Sequence, residues 1–246
     1  MLNAFLWGLL ATSSLVIGGL IASHFSLGKK SLGLIMAFGA GTLISAVSYE
    51  LIYEAIKLSK GSYFAMYGFF SGALTYYFSD RLLENIGSRD HKKGKAALQS
   101  NLIIPMILAI ILDGVPESIV IGLGIFEGGT VSMAMLAAVF ISNMPEAIAG
   151  TTGMKASGWD NGKITMLWIF IALVCAASTI AGFSFFSWLS NEWIAFIQAF
   201  AGGAILIMLA NSMIPESYEH AGKLAGIFTI FGFFISLTEV FLEMAG

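Results

Sequence analysis

NLIIPMILAIILDGVPESIVIGLGIF, residues 101–126, places two carboxylates, Asp113 and Glu117, in the middle of an otherwise apolar run. A helix needs about 20 mostly apolar residues to cross a bilayer, and this run is long enough. Asp113 and Glu117 stand four residues apart, so on a helix both project from one face. Pro116, directly before Glu117, has no amide hydrogen to donate and frees the carbonyl of Leu112. An ionised carboxylate at mid-bilayer costs at least about 2.5–3.5 kcal/mol. Two of them beside a broken hydrogen bond point to a membrane protein that handles cations or protons.

The pattern returns. Twenty-nine residues on, Ile141-Ser142-Asn143-Met144-Pro145-Glu146-Ala147 lies over Leu112-Asp113-Gly114-Val115-Pro116-Glu117-Ser118. A second match has an offset of 162: Ala37–Gly41 pairs with Ala199–Gly203, and Ile52-Tyr53-Glu54-Ala55 with Ile214-Pro215-Glu216-Ser217. Eight apolar stretches span the chain, at 2–25, 32–56, 62–80, 100–126, 130–153, 164–189, 193–217 and 224–244. The offset of 162 lays spans 1–3 over spans 6–8, which run the opposite way through the membrane. The expected fold is therefore an all-α integral membrane protein, a single domain over 1–246. Its eight transmembrane helices form a 3+2+3 inverted repeat. Inverted repeats with proline-interrupted helices at matching positions point to a midplane site in a secondary transporter.

Composition agrees. Of 246 residues 57% are hydrophobic and 11% charged, against about 25% charged in an ordinary soluble chain. That excludes a water-soluble globule. The net charge of −3 offers nothing to a nucleic acid. The single Cys175 can form no internal disulfide and no thiolate cluster. With the N-terminus outside, ten basic residues fall inside: Lys29, Lys30, Arg81, Arg89, Lys92, Lys93, Lys95, Lys155, Lys163 and Lys223. Only Lys57 and Lys60 fall outside. The positive-inside rule then puts both termini outside and the basic loop 80–99 in the cytoplasm, with a plasma (inner) membrane the expected location.

Glu50, Asp113, Glu117, Glu146 and Glu216 lie deep in predicted spans, Glu54 nearer an end, and no lysine or arginine shares those interiors. Acids without a basic partner imply bound cations, protonation or both. Glu50 and Glu54, Ser142 and Glu146, and Ser212 and Glu216 repeat the four-residue spacing of Asp113 and Glu117. Pro145 and Pro215 free the carbonyls of Ile141 and Asn211, as Pro116 frees that of Leu112. Glu216, Glu219 and His220 form a short cluster at the cytoplasmic end of span 7, a candidate exit site. No His-Glu-x-x-His helix and no Ser-Lys or Ser-His set occurs in the polar spans, so no enzyme is expected.

At Asp113–Glu117 and Ser142–Glu146 the sequence resembles the ZIP (Zrt/Irt-like) divalent metal transporters, and Met213–Ser217 looks like that family's seventh span. The resemblance implies eight spans, both termini outside, and metal moving toward the cytoplasm at a site on spans 4 and 5. Carried over position by position, it implies Asp113, Glu117, Ser142, Asn143 and Glu146 as the metal set. Gly114 stands where the family has an asparagine ligand, and span 6 holds no acid, so one principal site is expected. Glu50, Glu54, Ser212, Glu216, Glu219 and His220 would line the path. Hard oxygen donors lean toward manganese, iron, magnesium or calcium; the family leans toward zinc, and cadmium fits the same donors. The metal is a substrate, with no prosthetic group expected. The lipid bilayer is the evident partner, and a homodimer is one assembly the sequence allows. The alternatives are a proton-coupled carrier and a metal sensor that kept the fold without transport.

Overall fold

A computed structural model describes residues 1–25, 27–90, 103–128, 132–185 and 189–245. The described residues are helical, with no strand among them. Helix α1 is Leu2–His24. Helix α2, Lys29–Ala46, runs through a π-helical turn, Val47–Tyr53, into α3, Glu54–Leu58, as one rod. Then come α4 (Phe64–Asp90), α5 (Ile103–Gly128), α6 (Met133–Ala156) and α7 (Asn161–Phe185). Helix α8, Asn191–Met208, passes through a second π-helical turn, Leu209–Met213, into α9, Ile214–Ala221; α10 is Leu224–Ala245.

Six segments are long and apolar enough to cross a membrane: Leu2–His24, Lys29–Leu58, Met133–Ala156, Asn161–Ser184, Asn191–Ala221 and Leu224–Leu242. This is an all-helical integral membrane protein. Helices α4 and α5, of 27 and 26 residues, have comparable length but stand outside that set of six. Phe70, Phe78, Met166, Phe170, Ile227 and Phe234 are exposed. A soluble protein rarely leaves so much large apolar surface uncovered, which agrees with helices of this apolar character lying in a bilayer.

Local chemistry sets the helix ends. The Ser132 hydroxyl accepts the Met135 amide at 3.2 Å and caps α6. Asp160 does the same for α7, its Oδ1 accepting the Lys163 amide at 3.0 Å. That backbone donor holds the Asp160 carboxyl below the usual carboxylate range. Between α9 and α10 only Gly222 and Lys223 intervene, and Gly222 turns the chain at φ +61°, where a side chain would be strained.

The stretch 80–99, expected as a loop, is helical as far as Asp90; residues 91–99 lie outside those described. The expectation stopped at the first charges, Asp80 and Arg81, but a helix need not end where its apolar section ends. The π turns were also unforeseen. Val47–Tyr53 contains no proline, whereas Leu209–Met213 ends two residues before Pro215 and includes the carbonyl of Asn211 that this proline frees.

Glycines bring helices into backbone contact. A Cβ at Gly68 would strike the Phe196 carbonyl and one at Gly72 the Phe200 carbonyl, so α4 and α8 run side by side in the same direction. Gly203 is pressed against the Phe69 carbonyl of α4, and Gly41, 162 positions earlier, against the Thr229 carbonyl of α10. Gly122 and Gly182 join α5 to α7 in the same manner. Trp168 of α7 is fully buried between Gly19 of α1 and Gly150 of α6. Its indole N–H donates to Thr151 at 2.8 Å. The rods 29–58 and 191–221 are antiparallel: Gly33 abuts His220, while Gly202 lies against Val47 and Ile52.

Candidate metal site

Pro116 lies inside α5 and Pro145 inside α6, and each sits directly before a glutamate. Glu117 and Asn143 are each 1% exposed and Ser142 is wholly buried, while Asp113 and Glu146 are half-buried. Oε2 of Glu117, Oε2 of Glu146 and Nδ2 of Asn143 find no hydrogen-bond partner among the described residues. Buried polar groups are nearly always satisfied, so three orphans on two adjoining helices require an explanation. Among the described residues no lysine or arginine pairs with these acids; Lys57 pairs instead with Glu54 at 2.8 Å and Lys163 with Asp160 at 3.5 Å.

Asp113 is held from another helix. The Tyr76 hydroxyl of α4 donates to its Oδ1 at 2.6 Å. Glu146 lies within electrostatic reach of Asp113, Glu117 and Glu216, and Glu117 within reach of Asp113. These carboxylates are neighbours but not a finished coordination shell. Among the described residues no three His, Cys, Asp or Glu side chains are gathered closely enough to hold one metal ion.

A cavity of about 280 Å³ adjoins them, lined by Tyr76, Asp80, Asp113, Glu146, Ser212 and Glu216 among others. Met213 is also in its wall. A second cavity, of about 530 Å³, shares Asp80 and Ser212 and reaches Arg81 and Asn211. Asp113 and Glu146 thus meet the cavity, whereas Glu117 and Asn143 are not in its lining. Ser142 donates to the Val139 carbonyl of its own helix at 3.1 Å, and its backbone packs against Gly39 of α2.

Of the expected path residues, Ser212 and Glu216 line the cavity. Glu219 is exposed and outside the lining; His220, its Nδ1 without a partner among the described residues, sits beside Gly33. Glu50 and Glu54 belong to the other end of the rod 29–58, and Glu54 is paired with Lys57. Tyr76 and Asp80 were not foreseen. Their four-residue spacing on one face of α4 was the available signal, masked because span 3 otherwise reads as a plain apolar crossing ending at Asp80.

No family model and no curated protein sequence matches this chain.

Proposed function

We propose that this chain is a ZIP-like transporter that moves divalent metal ions across the membrane toward the cytoplasm, using a carboxylate-rich site on α5 and α6. The observation that carries this proposal is the pair of glutamates, Glu117 and Glu146. Each is on a proline-containing helix, each keeps an oxygen without a partner among the described residues, and Glu146 faces the cavity. A buried anion with an unused oxygen and no basic partner is stabilised most simply by a cation. Asp113 supplies a third anionic oxygen, and Asn143 a neutral group nearby.

The carboxylates repel one another until an ion draws them together, which fits their being close yet not converged. Counting α4 and α5 as spans gives eight, in a 3+2+3 inverted repeat. Support for the repeat comes from the π turns at Val47–Tyr53 and Leu209–Met213 and from the backbone contacts of Gly41 and Gly203, all 162 positions apart at their starts. π-Bulges are frequent at functional sites. The cavity lies toward the ends carrying Lys29, Arg81, Lys155 and Lys223. The positive-inside rule makes that side cytoplasmic, so the ion would leave past Glu216, Ser212 and Asp80. Oxygen donors suit hard ions such as manganese, and zinc also accepts carboxylates.

The test is uptake into liposomes containing the purified protein, read by an internal indicator dye for zinc, manganese, iron, cadmium, magnesium and calcium. Uptake of at least one ion, lost in Glu117→Ala and Glu146→Ala, is expected. No uptake of any ion overturns the proposal, and a pH gradient in the same assay reports proton coupling.

A further inference from the structure

Tyr76 joins two packing units. It stands on α4, which lies along α8, and reaches Asp113 on α5, which lies along α7. Its ring is 5% exposed, so packing aims the hydroxyl rather than leaving it to rotate in solvent. Tyr76, Asp113 and Glu146 share one cavity wall, with Asp80 a turn further along α4. A phenol is a neutral donor: it binds one lone pair of a carboxylate oxygen without cancelling the charge. Without that bond, Asp113 would be free to turn away from its like-charged neighbours Glu117 and Glu146. Outer groups that orient a ligating carboxylate are commonly worth 10–100-fold in metal affinity.

We propose that Tyr76 is a positioning residue for the transported ion: its hydroxyl, presented by α4, fixes the Asp113 carboxylate so that it and Glu146 meet a divalent cation in the cavity. This rests on the reading of α5 and α6 as a metal site. Tyr76 acts through Asp113 and gives the ion no ligand of its own. Ion binding at α5 is thereby tied to the position of α4.

The full chain in detergent is titrated with Mn²⁺ and with Zn²⁺ by calorimetry, alongside Tyr76→Phe, Asp113→Asn and the double variant. Tyr76→Phe keeps the buried ring and should weaken Kd about tenfold. In the Asp113→Asn background the same change should add little, because the side chain that Tyr76 holds no longer offers the ion an anionic oxygen. A separate readout avoids dependence on the stability of Tyr76→Phe: 3-fluorotyrosine placed at position 76. Its fluorine resonance should shift with Zn²⁺ at the midpoint given by Kd, and stay fixed in Asp113→Asn. Where Asp113→Asn leaves too little binding to compare, this resonance in the otherwise wild-type chain decides. Equal Kd for Tyr76→Phe and wild type, an undiminished effect in Asp113→Asn, or a fluorine resonance unmoved at saturating Zn²⁺ would each overturn the role of Tyr76 alone. A wild-type chain that binds neither ion overturns the metal site and this role with it.

Discussion

Replacing Gly203 by alanine places a methyl group against the Phe69 carbonyl of α4, with the Ala73 amide nitrogen at 3.2 Å. Both obstacles are backbone, so no side chain can rotate out of the way. The helices must part by about 1 Å to restore an ordinary carbon contact. A gap of that size forfeits roughly a quarter to a half of each van der Waals contact it opens. Overpacking of this kind costs about 1–3 kcal/mol, offset by up to about 1 kcal/mol from the better helix propensity of alanine. A net loss of about 1–2 kcal/mol is expected. Gly226 of α10 is the control, because a Cβ there meets nothing within 4 Å. Gly226→Ala should be neutral or gain up to about 1 kcal/mol. Unfolding in mixed micelles with rising dodecyl sulfate should therefore separate the two variants by about 1–3 kcal/mol. Gly41→Ala, pressed on Thr229, should behave like Gly203→Ala. Equal unfolding midpoints for Gly203→Ala and Gly226→Ala would refute close backbone packing of α4 on α8.

Thr151→Val leaves the Trp168 indole N–H buried without its acceptor and should cost about 1–3 kcal/mol by the same unfolding assay. Glu117→Gln removes a buried charge but keeps the shape, so its Tm in detergent should hold or rise while Mn²⁺ affinity falls tenfold or more; losses in both would mark a structural role. Asp160→Ala should lower Tm at pH 7, whereas Asp160→Asn, still able to cap α7, should keep most of it. Because the native Asp160 carboxyl titrates below its ordinary value, its stabilisation is present above about pH 4 and disappears as pH falls through the lower folded value. The gap between wild type and Asp160→Ala should close on that acidic side.

Hydropathy located the helices well, because an apolar run of bilayer length has few other uses. It ends span 3 at the charge of Asp80, before the helix ends, and of the eight expected spans six are long and apolar enough to cross a membrane. Asp113 and Glu146 stand out in the sequence as candidate site residues because a carboxylate inside an apolar span has no inexpensive alternative. Tyr76 does not, since a tyrosine in such a span usually packs, and nothing local tells that its hydroxyl meets Asp113 thirty-seven residues away. Ser142 has helical spacing from Glu146, and its backbone packs against Gly39 of α2, a neighbour that spacing does not reveal. Periodicity assigns residues to faces, but which neighbour covers a face depends on tertiary packing. The seat of Trp168 is hidden for the same reason, because it is made by glycines on two other helices.

Anomalous diffraction from crystals of the intact protein soaked in Mn²⁺ locates any ion held by the buried carboxylates. A manganese peak is expected between α5 and α6, within ligand distance of Asp113, Glu117 and Glu146, with Asp113 still bonded to Tyr76. A peak confined to Glu216, Glu219 and His220, or no peak within the helices at saturating metal, would contradict it.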